Sequence, residues 1–347
     1  MRLKIVFCLA LLSFYIPIAT PKVKAQEAIR SLDTSQLNQR PNRNNPTEVK
    51  VGIYLIDFDN FDEQNDSSKI DSYLFLTWQD RRLAFNTKQS KVNVKTYKLG
   101  EIWTPNIKFF NTEFARDTAY IQLQVKPDGT VLYKERFTAT FNSEMNLKKF
   151  PFDSQNLKLV LEAVDDANTV KFALDKPKTG ISAEAFFTGW KIQNDRALIR
   201  NKQLEIGESN FYQEFIYEID VARSSNYYIW NILLPLLFIV LVSWAVFWSK
   251  SFESNTVISF SSLLSAIAFS IVIAEELPKV AYVTYINGFI LLIYIFICLS
   301  IVQIVIKHCL ELEKNREGAI KLDIASRWIF PTTFGISNLL LILMFLL

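Results

Sequence analysis

The sequence is poor in the residues that build catalytic centres and disulfide-stapled domains. Its three cysteines are Cys8, Cys298 and Cys309, and none lies in the long polar stretch between the first two. An exported domain there must hold together by packing, without a disulfide framework. The only histidine is His308, so neither a histidine-based metal centre nor a Ser/His or Cys/His catalytic pair can be assembled in that stretch. No enzyme activity, metal or cofactor is expected. The net charge of +3 is small and scattered, whereas a nucleic-acid partner would need a basic stripe. With only 9 Gly and 11 Pro, and half of its residues hydrophobic, the chain suits two sizeable cores.

Residues 1–25 open with Arg2 and Lys4, continue through an apolar run from Ile5 to Ala19 and reach Val23-Lys24-Ala25. That pattern reads as a secretory signal peptide, which places the next domain outside the cell. Residues 26–47 are polar, with almost nothing apolar after Leu37, and are expected to form a flexible leader.

From residue 48 to 222 the apolar period is two. Val49, Val51, Ile53 and Leu55 alternate, as do Leu74, Leu76 and Trp78; Ile121, Leu123 and Val125; Leu157, Leu159 and Leu161; and Phe215, Tyr217, Ile219 and Val221. Each set puts one strand face into a core. Lys126-Pro127-Asp128-Gly129 supplies hairpin-turn residues between two such runs. Many short strands without a strong helical run predict an antiparallel β-sandwich.

Composition then changes. No charged residue lies between Arg223 and Lys250, Glu253 and Glu275, or Lys279 and Lys307, nor after Arg327. These are spans of bilayer-crossing length, expected as helices at about 226–249, 254–274, 281–307 and 327–347. Lys250, then Lys307, Lys314, Arg316, Lys321 and Arg327, lie in the first and third connections, and only Lys279 in the second. The positive-inside rule makes the first and third cytoplasmic, in agreement with an exported N-terminal domain.

The second span alone is polar, carrying Asn255, Thr256, Ser259, Ser261, Ser262, Ser265 and Ser270. At 100° per residue Glu253, Val257, Ser261, Leu264, Ala268, Ile271 and Glu275 fall in one stripe. Around a symmetry axis this stripe makes a water-filled path with carboxylate rings at both mouths, which attract cations. Leu264, Ala268 and Ile271 then form a constriction that gates by dewetting. The same serines also suit helix packing, with Glu253 and Glu275 marking the water interface. The residues alone leave both readings open.

Further residues carry a resemblance. Phe150-Pro151-Phe152-Asp153 with Gln155, then Arg223, Pro235, Ser243-Trp244 and Leu277-Pro278-Lys279, with Trp78-x-Asp80 and Trp103-x-Pro105 upstream, resemble the pentameric ligand-gated ion channels of the Cys-loop superfamily. The likeness covers the chain from about residue 49. Eukaryotic members have cysteines flanking the Phe-Pro-Phe-Asp loop, where this chain has Ser143 and Leu157, and their last cytoplasmic loop is longer. Both departures resemble prokaryotic members. The run from Asn226 to Thr284 is most similar to the proton-gated cyanobacterial type, which carries a histidine in the second helix where this chain has Ala266.

The resemblance implies an extracellular β-sandwich on a four-helix transmembrane bundle, assembled as a homopentamer in the bilayer of a bacterial inner membrane. Its pore would be lined by the second helix and pass monovalent cations, selected at Glu253. Gating would come from a small-molecule agonist or from protons acting on outer-domain carboxylates such as Asp66, Glu63 or Asp153. Coupling is expected where Glu63 and Asp153 meet Arg223, Pro278 and Lys279. The capping segment, around Glu208 to Phe215, offers Phe211 and Tyr212, and Lys108 and Arg136 stand where a carboxylate ligand would be faced. A non-conducting sensor is the alternative. A transporter fits less well, because no span holds a charge and no repeat relates the spans.

Overall fold

The computed structural model describes residues 36–42, 44–63, 65–165, 167–203, 211–276 and 280–346. The expected signal peptide, most of the leader, the tip of the capping segment at 204–210, and Pro278 and Lys279 lie outside the described residues.

Eleven strands make the N-terminal domain: β1 (Thr47–Asp62), β2 (Ser67–Gln79), β3 (Lys95–Tyr97), β4 (Ile107–Phe109), β5 (Asp117–Val125), β6 (Thr130–Asn142), β7 (Ser154–Ala163), β8 (Val170–Leu174), β9 (Gly180–Ile181), β10 (Trp190–Gln203) and β11 (Phe211–Arg223). One sheet runs β3-β5-β6-β2-β1-β8, with β9 also on β1; the other runs β10-β11-β7-β4. All pairings are antiparallel except those of β1 with β8 and β9.

The period-two residues face inward as expected. Val49, Val51, Ile53 and Leu55 are wholly buried, opposite Leu157, Leu161, Phe215 and Ile219 from the second sheet. Each such side chain contributes roughly 1.5–3 kcal/mol. Ile121 is only half-buried, because the outer end of β5 lies at the rim. In place of a disulfide, Phe109 packs on Phe137 and Phe141 with ring centres 5.0 and 5.1 Å apart. The β5–β6 hairpin needs Gly129: its φ is +83°, and a Cβ there would stand 2.5 Å from the Asp80 carbonyl oxygen.

The described end of the leader departs from the expectation of flexibility. Leu37 packs on the sandwich core, its carbonyl accepts from Trp103 N–H at 2.7 Å, and Arg82 donates to the Gln36 and Gln39 carbonyls at 2.8 and 2.7 Å. A single apolar anchor with three backbone acceptors is enough to seat residues that could not fold alone.

Four helices follow, long and apolar enough to cross a membrane: α1 (Asn226–Phe247), α2 (Phe252–Glu276), α3 (Tyr285–Leu312) and α4 (Arg316–Leu346). In α1 the turn from Ile229 to Leu233 is widened to π geometry just ahead of Pro235. Proline lacks the N–H that would close that turn, and its ring displaces the carbonyl four residues back. The fourth helix starts at Arg316, not near 327. Its first turns carry Glu317, Lys321 and Asp323, so the charge-free window marks only the lipid-embedded part. Trp244 knits α1 to α3 and α4 through Phe296, Phe330 and Phe334.

Candidate gating interface and pore helix

The loop between β6 and β7 is the sandwich's foot on the bundle. Its Phe150–Pro151 peptide is cis, and Phe150 is buried. The Phe150 ring meets Tyr228 of α1 edge-on at 4.7 Å, and Phe152 meets Tyr285 of α3 at 5.5 Å. Backbone bonds complete the seam. Leu147 N–H donates to the Tyr282 hydroxyl at 3.0 Å, Tyr285 N–H to the Lys148 carbonyl at 2.9 Å, and the Ser225 hydroxyl to the Pro151 carbonyl at 2.7 Å.

Arg223, the last residue of β11, sits behind this loop. Its Nε donates to Asp153 Oδ1 at 2.6 Å and Nη2 to Oδ2 at 3.1 Å, while Nη1 donates to Glu63 Oε1 at 2.6 Å and to Tyr228 Oη at 3.3 Å. The guanidinium lies over Trp190 at 4.3 Å and Phe150 at 4.6 Å. Burial works against its charge, and the Asp153 and Glu63 carboxylates outweigh that, holding it above its ordinary pKa. Gln155 Nε2 donates to Asp153 Oδ2 at 2.6 Å, so the aspartate accepts from two side chains. Glu63, Asp153 and Arg223 are thus in one network. Trp190 and Tyr228, which sequence reasoning passed over, enclose it.

On α2 the stripe predicted from periodicity is uncovered along its length. Glu253, Ser261, Ala268 and Glu275 are exposed, and Val257, Leu264 and Ile271 are 65%, 68% and 57% exposed. The opposite side is buried and consists of Asn255, Ser259, Ser262, Ala266 and Ile273. Three of the polar residues counted as signs of a water-facing helix therefore pack within the bundle. Ser262 settles its hydroxyl on the Ile258 carbonyl at 2.8 Å, whereas Ser259 Oγ and Asn255 Oδ1 have no hydrogen-bond partner among the described residues.

The candidate ligand contacts do not converge within one chain. Lys108 is on β4 of one sheet, 3.7 Å from Glu162, and Arg136 is on β6 of the other, paired with Asp71 at 2.7 Å. Tyr212 is half-buried on β11, and the Phe211 side chain lies outside the described residues. Asp66 is exposed at the β1–β2 turn with φ +50°, its carbonyl accepting from Ser143 N–H at 2.8 Å. Lys108 belongs to a charged row set by strand register, Lys108–Glu162–Glu214–Arg200. Arg200 and Lys202 hold Glu214 at 2.6 and 3.0 Å; burial raises the Glu214 pKa, and these two cations more than reverse that, leaving it below its usual value.

A second site was not foreseen. Glu135 is wholly buried and accepts from Arg116 twice, at 2.7 and 3.1 Å, from Thr118 at 2.7 Å and from Tyr133 at 2.7 Å. Arg116 and Tyr133 border a cavity of about 370 Å³ with Leu76, Thr104 and Asn106 among its walls. Alternation made Glu135 an inward position, and an inward glutamate needs partners; that was the signal available.

A β-sandwich seated through one loop and one buried arginine on four spanning helices defines a multi-pass membrane protein of the receptor-channel class. Residues 26–225 match the model of the neurotransmitter-gated ion-channel ligand binding domain, and residues 232–319 that of the neurotransmitter-gated ion-channel transmembrane region. The chain belongs to this family, the pentameric ligand-gated ion channels, and not to an enzyme family. It is 38% identical to the proton-gated ion channel of Gloeobacter violaceus, over 88% of this chain and 85% of that protein. It is 25% identical to the gamma-aminobutyric acid receptor subunit beta-4 of Gallus gallus and 26% to its subunit gamma-4, over 75% and 82% of this chain. The chain spans 54% and 65% of those two subunits' lengths.

Proposed function

We propose that the protein is a cation-selective channel formed by five copies of this one chain in a bacterial inner membrane, with its sandwich in the periplasm or outside the cell. The observation that carries the reading is the uncovered stripe on α2. A protomer that buries Asn255, Ser259 and Ser262 but leaves Val257, Leu264 and Ile271 open, between acids at both ends, is built to complete itself around an axis. In that ring Glu253 concentrates monovalent cations at the inner mouth, Glu275 lies at the outer mouth, and Leu264, Ala268 and Ile271 close the path by dewetting. The Arg223–Asp153–Glu63 network joins the sandwich to α1, and Pro278 and Lys279 would extend that joint to the end of α2.

Gating is by a small-molecule agonist or by protons. The name of the Gloeobacter relative favours protons. With Ala266 at the helix position where the resemblance would put a histidine, the response would arise in the outer domain, at Asp66, Glu63 or Asp153. A carboxylate agonist would be faced by Lys108 and Arg136 from adjoining copies, beside Phe211 and Tyr212.

The test is voltage-clamp recording of the expressed protein while pH is stepped from about 8 to about 4, a range that spans histidine and carboxylate titration, and while small amines and carboxylates are applied. Current at acid pH supports proton gating. Current only with a compound supports an agonist. No current under any condition supports the non-conducting sensor. Unchanged reversal potential in asymmetric salt for Glu253→Ala would remove the selectivity assignment.

A further inference from the structure

We infer that Lys307 is a positioning residue for the cytoplasmic mouth: held between Asp323 of α4 and the Ser249 carbonyl, it sets where α2 begins and therefore where Glu253 stands. This rests on the channel reading above.

The Lys307 side chain is 8% exposed. Its Nζ meets Asp323 Oδ2 at 2.7 Å, and the other oxygen of Asp323 accepts from Gln303 Nε2 at 3.0 Å. The second contact of the ammonium is the Ser249 carbonyl, at 2.9 Å. Ser249 lies in the short linker between α1 and α2, four residues ahead of Glu253. The same carbonyl accepts from Asn255 Nδ2 at 3.5 Å, and Asn255 is almost wholly buried on the first turns of α2. One backbone oxygen therefore joins α3, through Lys307, to the start of α2. Two residues upstream, the Phe247 carbonyl accepts from Arg327 Nε at 3.1 Å and Nη2 at 3.0 Å. Carbonyls at the end of a helix have no partner within it, and cations suit that end of the helix dipole. Here α3 and α4 supply both cations, so the linker is gripped from behind at two points.

A buried ion pair is a weak source of net stability, because apolar residues of similar size pack as well or better. What it supplies is a fixed geometry. Lys307 offers three donors, of which Asp323 and Ser249 take two. Removing Lys307 frees the linker and leaves Asp323 without its cation. The first turn of α2, which carries Glu253, is the element directly attached to that linker.

The experiment compares wild type, Lys307→Arg, Lys307→Met and the double variant Lys307→Met with Asp323→Leu, measuring surface amount, single-channel conductance and reversal potential. A parallel set, with the exposed Cys298 and Cys309 replaced by alanine, carries a spin label at Ser254→Cys, an exposed position beside Glu253. Lys307→Arg keeps wild-type conductance. Lys307→Met loses it by about twofold or more, the scale expected when a charge ring at the mouth is displaced, and mobilises the label. The double variant, with no charge left buried, recovers surface amount but neither conductance nor label order, because Ser249 still lacks its donor. Recovery of conductance and label order in the double variant would show that the pair merely clamps α3 to α4, and would overturn the inference. If wild type passes no current, the channel reading fails by itself. The label then decides, and unchanged mobility in Lys307→Met overturns the inference.

Discussion

Arg223 and Asp153 meet through two hydrogen bonds with both side chains almost wholly buried, 70 residues apart in sequence, where the outer domain touches the membrane helices. Deleting the cation leaves Asp153 charged in a buried place, which typically costs about 3–5 kcal/mol. Arg223→Gln should therefore lower the melting temperature of the purified protein by more than Asp153→Asn, which keeps an acceptor for Arg223. It should also abolish the current response under conditions where surface amount is preserved by low-temperature expression.

The Leu264 side chain is left largely uncovered by the described residues of its own chain and is proposed to form part of the dry constriction. Leu264→Ser wets that level. The expected result is current in the absence of stimulus, seen as a resting conductance that pore blockers remove; a silent resting state would place the constriction elsewhere.

Arg116 is the one cation among the described residues on the buried Glu135 carboxylate, which also accepts from Thr118 and Tyr133. Arg116→Ala should destabilise the sandwich by about 3–5 kcal/mol for the same reason as above, read as a drop in denaturation midpoint. Thr118→Ala, which removes one neutral donor, should cost about 1 kcal/mol.

Glu214 has a folded pKa below its unfolded one, so its contribution is complete above the ordinary glutamate value of about 4.3 and is lost as pH falls further. Lys202 has a raised pKa, caused first by Glu214, so its contribution is complete below the ordinary lysine value and is lost in strong alkali. Thermal melts of wild type and Glu214→Gln should differ by a constant amount from pH 6 to 8. That gap should close below about pH 4.3; a gap that widened in acid would contradict the assignment.

Gly129→Ala puts a Cβ against the Asp80 carbonyl at positive φ. Strain of about 1–3 kcal/mol is expected, measurable as a lowered denaturation midpoint with normal assembly.

Alternation made the sandwich legible, since strands with Val, Ile, Leu or Phe at every second position bury that face, apart from Ile121 at the rim of β5. Lack of charge likewise made the four spans legible. Where both signals failed, the cause was distance along the chain. Glu63 and Arg223 are 160 residues apart and stand 2.6 Å from each other; the family resemblance, and neither alternation nor charge, pointed to their meeting. Lys108 and Arg136 were placed to face a carboxylate ligand, whereas Lys108 stands directly across from Glu162 and Arg136 reaches diagonally to Asp71, pairings not written in either strand alone. The serines of α2 were ambiguous for a different reason. A hydroxyl serves equally against water or against a neighbouring helix, and the helix uses it for both, with Ser261 outside and Ser259 and Ser262 inside.

The inner side of α2 has a mechanical consequence. From Asn255 to Ala266 its fully buried residues are Asn255, Ser259, Ser262 and Ala266, flanked by the partly buried Ile258 and Leu263, and the first bulky side chain buried outright is Ile273 near the far end. Small residues let the helices approach closely along the centre of this contact, while Ile258 and Leu263 interlock at its edges. The Tyr294 hydroxyl, 2.6 Å from Ser270, fastens the same far end. The helix is therefore tethered at both ends, by the Ser249 carbonyl shared between Lys307 and Asn255 below and by Tyr294 above, so a push delivered at its top is borne by two ties with a close small-residue contact between them.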